Sequence, residues 1–128
     1  MEDKDMSTAV KRLLSGSTDG KAIKLTQTAS NSSPAPETIH TAVAGTTPGT
    51  YDEIWLWAYN GHTADVVLTI EFGGADVPDQ NIVVMIPCKQ GLYQVIPGFI
   101  LQNGAVVKAF ASVANVVTIN GFVNQITD

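Results

Sequence analysis

The distribution of apolar and polar residues predicts β-strands along most of this chain. From Gly20 onward, short runs rich in β-branched and aromatic residues are separated by segments containing Gly, Pro, Asn or Asp, a spacing typical of sandwiches and barrels. Strands are predicted at about 21–28, 38–43, 53–59, 66–72, 81–86, 92–96, 106–111 and 116–123. About eight such strands favour an all-β fold, a jelly-roll-like antiparallel β-sandwich.

The predicted strand EIWLWAY differs from an ordinary surface strand because neither of its faces is polar. Side chains alternate across a strand, so Trp55, Trp57 and Tyr59 share one face and the aliphatic residues between them share the other. Two interpretations are open. Either the aromatic residues form the sandwich core and the aliphatic residues lie under a loop, or one of the two faces is covered by another subunit.

The segment NGHTAD follows this strand and predicts that it pairs with the next strand, 66–72. An Asn-Gly pair tolerates the positive φ angles of a tight hairpin turn. The paired strands would place the core on one side and, on the other, aromatic residues beside Thr69 and Glu71. Such an aromatic surface is expected to be buried against another element or another chain.

The C-terminal part of the chain is almost free of charge. After Gln90 the only charged residues are Lys108 and Asp128. A monomer of this size normally carries more charge on its outer strands, for solubility and for protection of sheet edges, so this tail favours a subunit interface. The residues predicted to lie in the core or in an oligomer interface are Trp55, Trp57, Tyr59, Phe110, Val117 and Ile119.

Residues 1–20 are predicted to form an N-terminal arm, and residues 21–128 the sandwich domain. Ser7 or Thr8 is a suitable N-cap for a short helix that ends at Gly16. An isolated helix this short is marginal in water. It needs this domain, a sister chain or a larger partner to pack on, or else it stays a mobile arm. The apolar face of this helix would consist of Val10, Leu13 and Leu14.

Size and charge restrict the function classes. The chain has 128 residues and a mass of 13.5 kDa, which fits one domain. Its net charge of -5 and pI of about 4.7 argue against binding to nucleic acid or anionic lipid, because both need a basic patch. The single cysteine excludes an internal disulfide. No secretory signal and no run of about 20 apolar residues is found, so no membrane partner is predicted.

No residue pattern predicts catalysis, a metal site or a cofactor. His40 and His62 lie in different segments without further ligands at metal spacing, and each is interpreted as a partly exposed histidine of a turn or strand. Glu71, Asp76 and Asp79 lie near one turn, but their spacing differs from that of a calcium loop. This segment is interpreted as a solvated turn, and the chain is predicted not to be an enzyme.

Aromatic residues beside acidic turns are also typical of carbohydrate-binding β-sandwich modules, in which tryptophan rings stack on sugars. This is the alternative function. It requires Trp55 or Trp57 to be exposed in a groove.

Three segments of the chain resemble those of a known protein family: EIWLWAYNGHTADVVLTIEFGG, VPDQNIVVMIPCKQGLYQVIPGFIL and NGAVVKAFASVANVVTINGFVNQI. From Glu53 to Ile126 the chain resembles small virion proteins of tailed bacteriophages that are described as cement or decoration proteins. The resemblance implies a jelly-roll or similar β-sandwich, commonly trimeric, that sits on the capsid lattice and braces neighbouring capsid proteins. It implies no enzyme.

The resemblance also sets expectations for partners and location. The partners would be the major capsid protein and further copies of this chain. The location would be the capsid surface of a virion, after synthesis in the host bacterial cytoplasm. The carbohydrate-binding alternative would be a module on a virion surface or head fibre. Val10, Leu13 and Leu14 would form a capsid-contact arm. Deletion of residues 1–15 is then expected to abolish lattice binding and to spare the fold.

Overall fold

The computed structural model describes residues 7–128, and within this range the chain forms nine β-strands and no helix. All strand pairs are antiparallel. The all-β sandwich predicted from the alternating pattern is confirmed. The strands are β1 (Thr8–Leu13), β2 (Ile23–Lys24), β3 (Glu37–Thr41), β4 (Tyr51–Asn60), β5 (Val66–Phe72), β6 (Asn81–Ile86), β7 (Tyr93–Leu101), β8 (Val106–Ala111) and β9 (Val117–Thr127).

The strands form two sheets whose order is far from their order in the chain. The first sheet has the order β1-β9-β4-β7, with β2 also paired to β9, and the second has the order β3-β8-β5-β6. The pairs β2 with β9, β3 with β8, β4 with β7 and β5 with β6 are nested inside one another along the chain. Most connections therefore cross from one sheet to the other, and those from β1 to β2 and from β5 to β6 stay within a sheet.

Aliphatic side chains from the two inner faces form the core. Along β4, buried and half-buried residues alternate at every position from Tyr51 to Asn60, and Ile54 and Leu56 have no exposed surface. Stacked sheets lie about 10 Å apart, a space that aliphatic side chains of facing strands, such as Leu68, fill by interdigitation. The aliphatic face of β4 is thus the core face, and the interpretation that its aromatic residues form the core is wrong.

The N-terminal helix predicted for residues up to Gly16 is a strand. Residues Thr8–Leu13 form β1, which pairs with β9 from Phe122 to Thr127. A short isolated helix is marginal, whereas β9 offers an unpaired edge whose backbone groups satisfy those of β1. Within the described part of the predicted arm, Thr8–Leu13 is therefore an edge strand of the first sheet. Residues 1–6 of the predicted arm lie outside the described residues.

The predicted hairpin between β4 and β5 does not exist, because these two strands lie in different sheets. Asn60, which has no exposed surface, holds the crossing segment. Its Nδ2 donates hydrogen bonds to the carbonyl oxygens of Ala64 (3.0 Å) and Ile86 (2.8 Å), and its Oδ1 accepts one from the His62 N–H (2.8 Å). The Asn-Gly pair thus marks a turn between sheets and not a hairpin.

Two strands of the charge-poor tail, β8 and β9, lie inside the sheets. β8 lies between β3 and β5, and β9 lies between β4 and the pair β1 and β2. Strands with neighbours on both sides need no charged residues for edge protection. The low charge of β8 and β9 is therefore explained within one chain and is not by itself evidence of an interface. This explanation does not extend to β7, an edge strand without charged residues on which Tyr93, Phe99 and Ile100 are exposed.

Candidate functional site

The outward surface of the first sheet carries a continuous row of apolar side chains. Cross-strand partners in this row are Leu13 on β1, Phe122 on β9, Trp55 on β4 and Pro97 on β7. Two more aromatic residues of β4 point to the same side, because side chains alternate along a strand. We define the aromatic face as Leu13, Trp55, Trp57, Tyr59 and Phe122.

The rings of the aromatic face pack against one another. Phe122 stacks on both tryptophans: its centroid lies 6.3 Å from that of Trp55, with an interplanar angle of 15°, and 6.1 Å from that of Trp57, with an angle of 24°. The Lys11 Nζ lies 4.7 Å from the Phe122 centroid, which is a cation–π distance. The three rings are half-buried in a single chain, so this surface is preformed.

A glycine on the edge strand makes room for Trp55. Gly98 has a φ of +84°, and a Cβ atom built at this position would lie 2.7 Å from the Trp55 ring. The pairing of β4 with β7 shifts register at this point, as at a β-bulge. The Trp55 ring therefore lies directly against the backbone of β7.

Two hydrogen bonds to one carboxylate fix the orientation of Trp55. Glu53 Oε1 accepts a hydrogen bond from Trp55 Nε1 (2.9 Å) and another from Asn124 Nδ2 (3.0 Å). The bond from Asn124, followed by that from Trp55, lowers the pKa of Glu53 below its ordinary value of 4.5, against the smaller opposing effect of desolvation. Glu53 thus stays ionised at neutral pH and positions the indole.

Charge is sparse on this surface and has both signs. Lys24 lies in the cross-strand row of Tyr59, and Lys11 and Glu53 lie in the row next to that of Trp55 and Phe122. Asn120 and Asn124 alternate with Phe122 along β9. Rings with a few amide and charged groups are the composition of many protein interfaces, and this arrangement is the candidate functional site.

The structure separates the residues that the sequence grouped as core or interface. Val117 and Ile119 have no exposed surface and belong to the core. Phe110 is half-buried on the outward side of the second sheet, opposite Thr69. Trp55, Trp57 and Tyr59 remain together on the aromatic face.

The three residues predicted to form one apolar face of the arm point in different directions. Leu14 is 2 % exposed and belongs to the core. Leu13 is 58 % exposed and joins the aromatic face, whereas Val10, which is 43 % exposed, lies on the opposite side of β1 because strand residues alternate. The helical grouping is therefore wrong, although Leu13 does extend the aromatic surface.

Sequence reasoning missed two features. Phe122 joins the aromatic face because β9 pairs with β4, and its signal was the alternation of Asn120, Phe122 and Asn124 along one strand. His40 was interpreted as partly exposed, but it is 5 % exposed and its Nε2 lies 2.7 Å from Oδ2 of Asp52, which is 2 % exposed. The separation of these two residues in the sequence gave no sign of the pair. His62 is half-buried in its turn, as interpreted.

The Ser15, His40 and Asp52 cluster is arranged for structure and not for nucleophilic catalysis. The backbone N–H of Ser15 donates a hydrogen bond to His40 Nδ1 (2.9 Å), and Ser15 Oγ accepts one from the Thr41 N–H (2.7 Å). With Nδ1 as acceptor, Nε2 carries the proton and donates to Asp52. Neither ring nitrogen is free to take a proton from the serine hydroxyl, which is what a catalytic base must do.

Residues 7–128 contain no group of three or more His, Cys, Asp or Glu side chains placed to hold a metal ion. In the same residues no helix has the length and apolar character needed to cross a bilayer. Comparison with protein families, with curated proteins and with solved structures found no match to this chain.

Proposed function

We propose that this chain is a structural protein of a bacteriophage virion, a homo-oligomer of three copies that binds the major capsid protein on the outside of the capsid and stabilises the lattice. The observation that carries the proposal is the aromatic face, which together with Pro97 forms an outward apolar row across β1, β9, β4 and β7, four of the five strands of the first sheet. Synthesis would take place in the host bacterial cytoplasm.

The exposure of the face supports an interaction. Its rings are half-buried and Leu13 is 58 % exposed, so contact with another chain removes further apolar area from water at about 25 cal/mol per Å². The rigid strands and stacked rings lose little conformational freedom on binding, which favours association. The few polar groups, such as Glu53 and Asn124, already bond to each other and would enter an interface without being left unpaired.

An oligomer that binds only the assembled lattice stabilises it by mass action. Several copies joined in one ring dock together, and each bound copy raises the effective concentration of the next. No catalytic chemistry is needed for this role, and an enzyme is not proposed.

We further propose that the fold is of the jelly-roll type. The nested pairs β2 with β9, β3 with β8, β4 with β7 and β5 with β6 support this, because one long hairpin of eight strands rolled into two four-stranded sheets is the jelly-roll arrangement. β1 would then be an addition beside the roll.

The first test is light scattering of the purified full-length protein across a dilution series. The expected result is a stable trimer that Leu13→Lys converts to a monomer, since a lysine in the row places an unpaired charge in the interface. Val83→Lys is the control, an equally exposed residue (62 %) on β6 in the other sheet. A wild-type monomer at every concentration would refute self-association.

The second test is co-sedimentation with capsids assembled from the major capsid protein of the same phage. Wild-type protein and Val83→Lys should sediment with the capsids, and Leu13→Lys should remain in the supernatant. Equal sedimentation of both variants would show that capsid binding depends neither on the aromatic face nor on the trimer that it forms. Failure of the wild type to sediment would refute the proposed capsid function.

A carbohydrate-binding role is the second candidate, and the outward position of Trp55 and Trp57 beside amide side chains favours it. Tryptophan fluorescence quenching by acrylamide would measure how accessible the two rings are. A glycan array would separate this function from the first: specific glycan binding that Trp57→Ala abolishes would favour the sugar module.

A further inference from the structure

A concave site lies on the outward side of the second sheet, away from the aromatic face. It is a pocket of about 420 Å³ between the segment from β2 to β3, the turn after β5 and the start of β8. This volume lies in the range of small-molecule sites. The lining residues are Ser30, Ala35, Pro36, Glu71, Gly73, Gly74, Ala75, Gly104, Ala105, Val106 and Lys108.

A buried carboxylate lies in this pocket. Glu71 was predicted to be part of a solvated turn, which is correct for the exposed Asp76 and Asp79 but wrong for Glu71, which is 4 % exposed. The segment before β3 covers it, and Ser30 Oγ donates a hydrogen bond to Glu71 Oε2. Within the described residues this is the one hydrogen bond to the carboxylate, which has about four acceptor positions. A buried carboxylate with spare acceptor positions needs further donors.

A lysine beside the carboxylate restricts the charge of a ligand. Lys108 is the cross-strand partner of Glu71, is half-buried and lines the same pocket. No ion pair joins the two side chains in the part of the chain that the structure describes. Glu71 would attract a cationic ligand, but Lys108 would repel it. Lys108 would attract an anionic ligand, but Glu71 would repel it. The pair therefore favours a ligand without net charge.

Hydroxyl groups suit this pair best, because they enter the pocket at a lower desolvation cost than the two charged groups of a zwitterion. A hydroxyl donates one hydrogen bond and accepts others, so adjacent hydroxyls of one ring satisfy the Glu71 carboxylate and the Lys108 ammonium together. The Ser30 hydroxyl, whose proton goes to Glu71, still accepts. The wall residues are mainly glycine and alanine, which leave backbone groups accessible to a flat ring.

We propose that this pocket binds a neutral, hydroxyl-rich ligand of the size of a single sugar ring, with Glu71 as acceptor and Lys108 as donor. The site is distinct from the aromatic face, and the proposal does not rest on self-association or on capsid binding.

The test is a titration of isotopically labelled full-length protein, followed by NMR, with three classes of probe. These are neutral monosaccharides (glucose, galactose, mannose and N-acetylglucosamine), the zwitterions glycine and alanine, and the cation agmatine. At least one monosaccharide should shift the amide signals of Gly73, Gly74 and Ala105 in a saturable manner. Glycine, alanine and agmatine should bind more weakly.

Three variants locate the binding. Glu71→Gln should weaken saccharide binding at least about tenfold, because the hydrogen-bond acceptor loses its charge and one of its two oxygens is replaced by a donor. Glu53→Gln, the same change on the aromatic face, should leave it unaltered. Ala35→Leu, at an exposed position of the pocket wall, should block binding even if Glu71→Gln does not fold, since it fills the space.

Four results would overturn the proposal. These are no saturable shift with any saccharide, tighter binding of a zwitterion or of agmatine, shifts confined to the indole signals of Trp55 and Trp57, and saccharide binding that Ala35→Leu leaves intact. The third result would place a sugar on the aromatic face instead. None of the four bears on the oligomeric state, which light scattering measures separately.

Discussion

A buried carboxylate joins separate segments of the chain at one end of the sandwich. Asp52 Oδ2 accepts hydrogen bonds from His40 Nε2 (2.7 Å) and from the Val43 N–H (3.1 Å), and its Oδ1 accepts one from Gln125 Nε2 (3.2 Å). Gln125 in turn accepts a hydrogen bond from Arg12 (3.0 Å) on β1. Because buried polar groups are costly unless they are bonded, the network is a structural requirement at this end of the core.

Asp52→Ala should therefore lower the free energy of unfolding by about 2 to 4 kcal/mol, since it leaves several donors without an acceptor. Urea unfolding measures this. Asp65→Ala is the control, because Asp65 is exposed and accepts a hydrogen bond from the Cys88 N–H. The free energy of unfolding should fall much less in Asp65→Ala than in Asp52→Ala. Equal losses in the two variants would contradict the structural role of the network.

The lowered pKa of Glu53 predicts how the stability of the fold depends on pH. This pKa is lowered in the folded protein, so the ionised group stabilises the fold above the ordinary value of 4.5, and this contribution is lost as the pH falls through the folded pKa. Asn124→Ala removes the largest cause and should raise the pKa towards its ordinary value. NMR titration of the Glu53 carboxyl in both proteins measures the change, and an unaltered midpoint would contradict the assignment.

At the scale of the element, β9 and β4 approach each other closely at one position. Gly121 is the cross-strand partner of Leu56, and a Cβ atom there would lie 2.0 Å from the Trp55 carbonyl oxygen. That atom belongs to the backbone of the neighbouring strand, so only a shift between the strands could relieve the contact. The glycine keeps the two long strands in register beneath the aromatic face.

Gly121→Ala should lower the free energy of unfolding by about 2 to 3 kcal/mol, the upper part of the range for overpacking. Gly45→Ala is the matched control. Gly45 has a positive φ of +89° but no atom within 4 Å of the added Cβ, so a cost of about 1 kcal/mol from the backbone conformation is expected. Thermal or urea unfolding compares the two, and a smaller effect at Gly121 would contradict the close approach.

The strands themselves were largely predictable from local pattern, and the exceptions have physical reasons. Val66–Phe72 and Asn81–Ile86 have the predicted bounds, because alternation and turn residues are local signals. β1 was predicted as a helix. Its partner β9 is more than a hundred residues away in the chain, so the sequence around β1 does not indicate this pairing. The segment 21–28 yields only the two-residue strand Ile23–Lys24.

At the scale of the whole molecule, the N-terminal segment belongs to the sandwich. Leu14 lies in the core, and the Ser15 N–H donates a hydrogen bond to the buried His40. Removal of this segment thus opens the core and leaves a buried nitrogen without a partner. The expectation that residues 1–15 are dispensable for folding is therefore revised.

Deletion of residues 1–15 should lower the free energy of unfolding by at least about 3 kcal/mol, which is the size of the loss when one large aliphatic side chain leaves a core. Leu14→Ala should account for much of this, at about 2 to 4 kcal/mol. Leu13→Ala is the control and should cost less than about 1 kcal/mol, because Leu13 is mostly exposed. A deletion variant as stable as the wild type would contradict the inclusion of this segment in the fold.

The candidate site was predictable only in part. The local pattern of β4 showed that Trp55 and Trp57 share a face, but not whether that face is the core, because both faces are apolar. The facing sheet decided this, since its aliphatic residues pack on Ile54 and Leu56. Leu13 and Phe122 joined the tryptophans only through strand pairing between distant segments.

The sequence by itself determined the fold class, most strand positions and the acidic, cysteine-poor character of this protein, because these depend on composition and on side-chain alternation within a strand. The tertiary structure alone decided which face of β4 is buried, that β1 is a strand, and that Glu71 and Asp52 are buried carboxylates. Each of these depends on contacts between residues far apart in the chain, and no local pattern encodes such contacts.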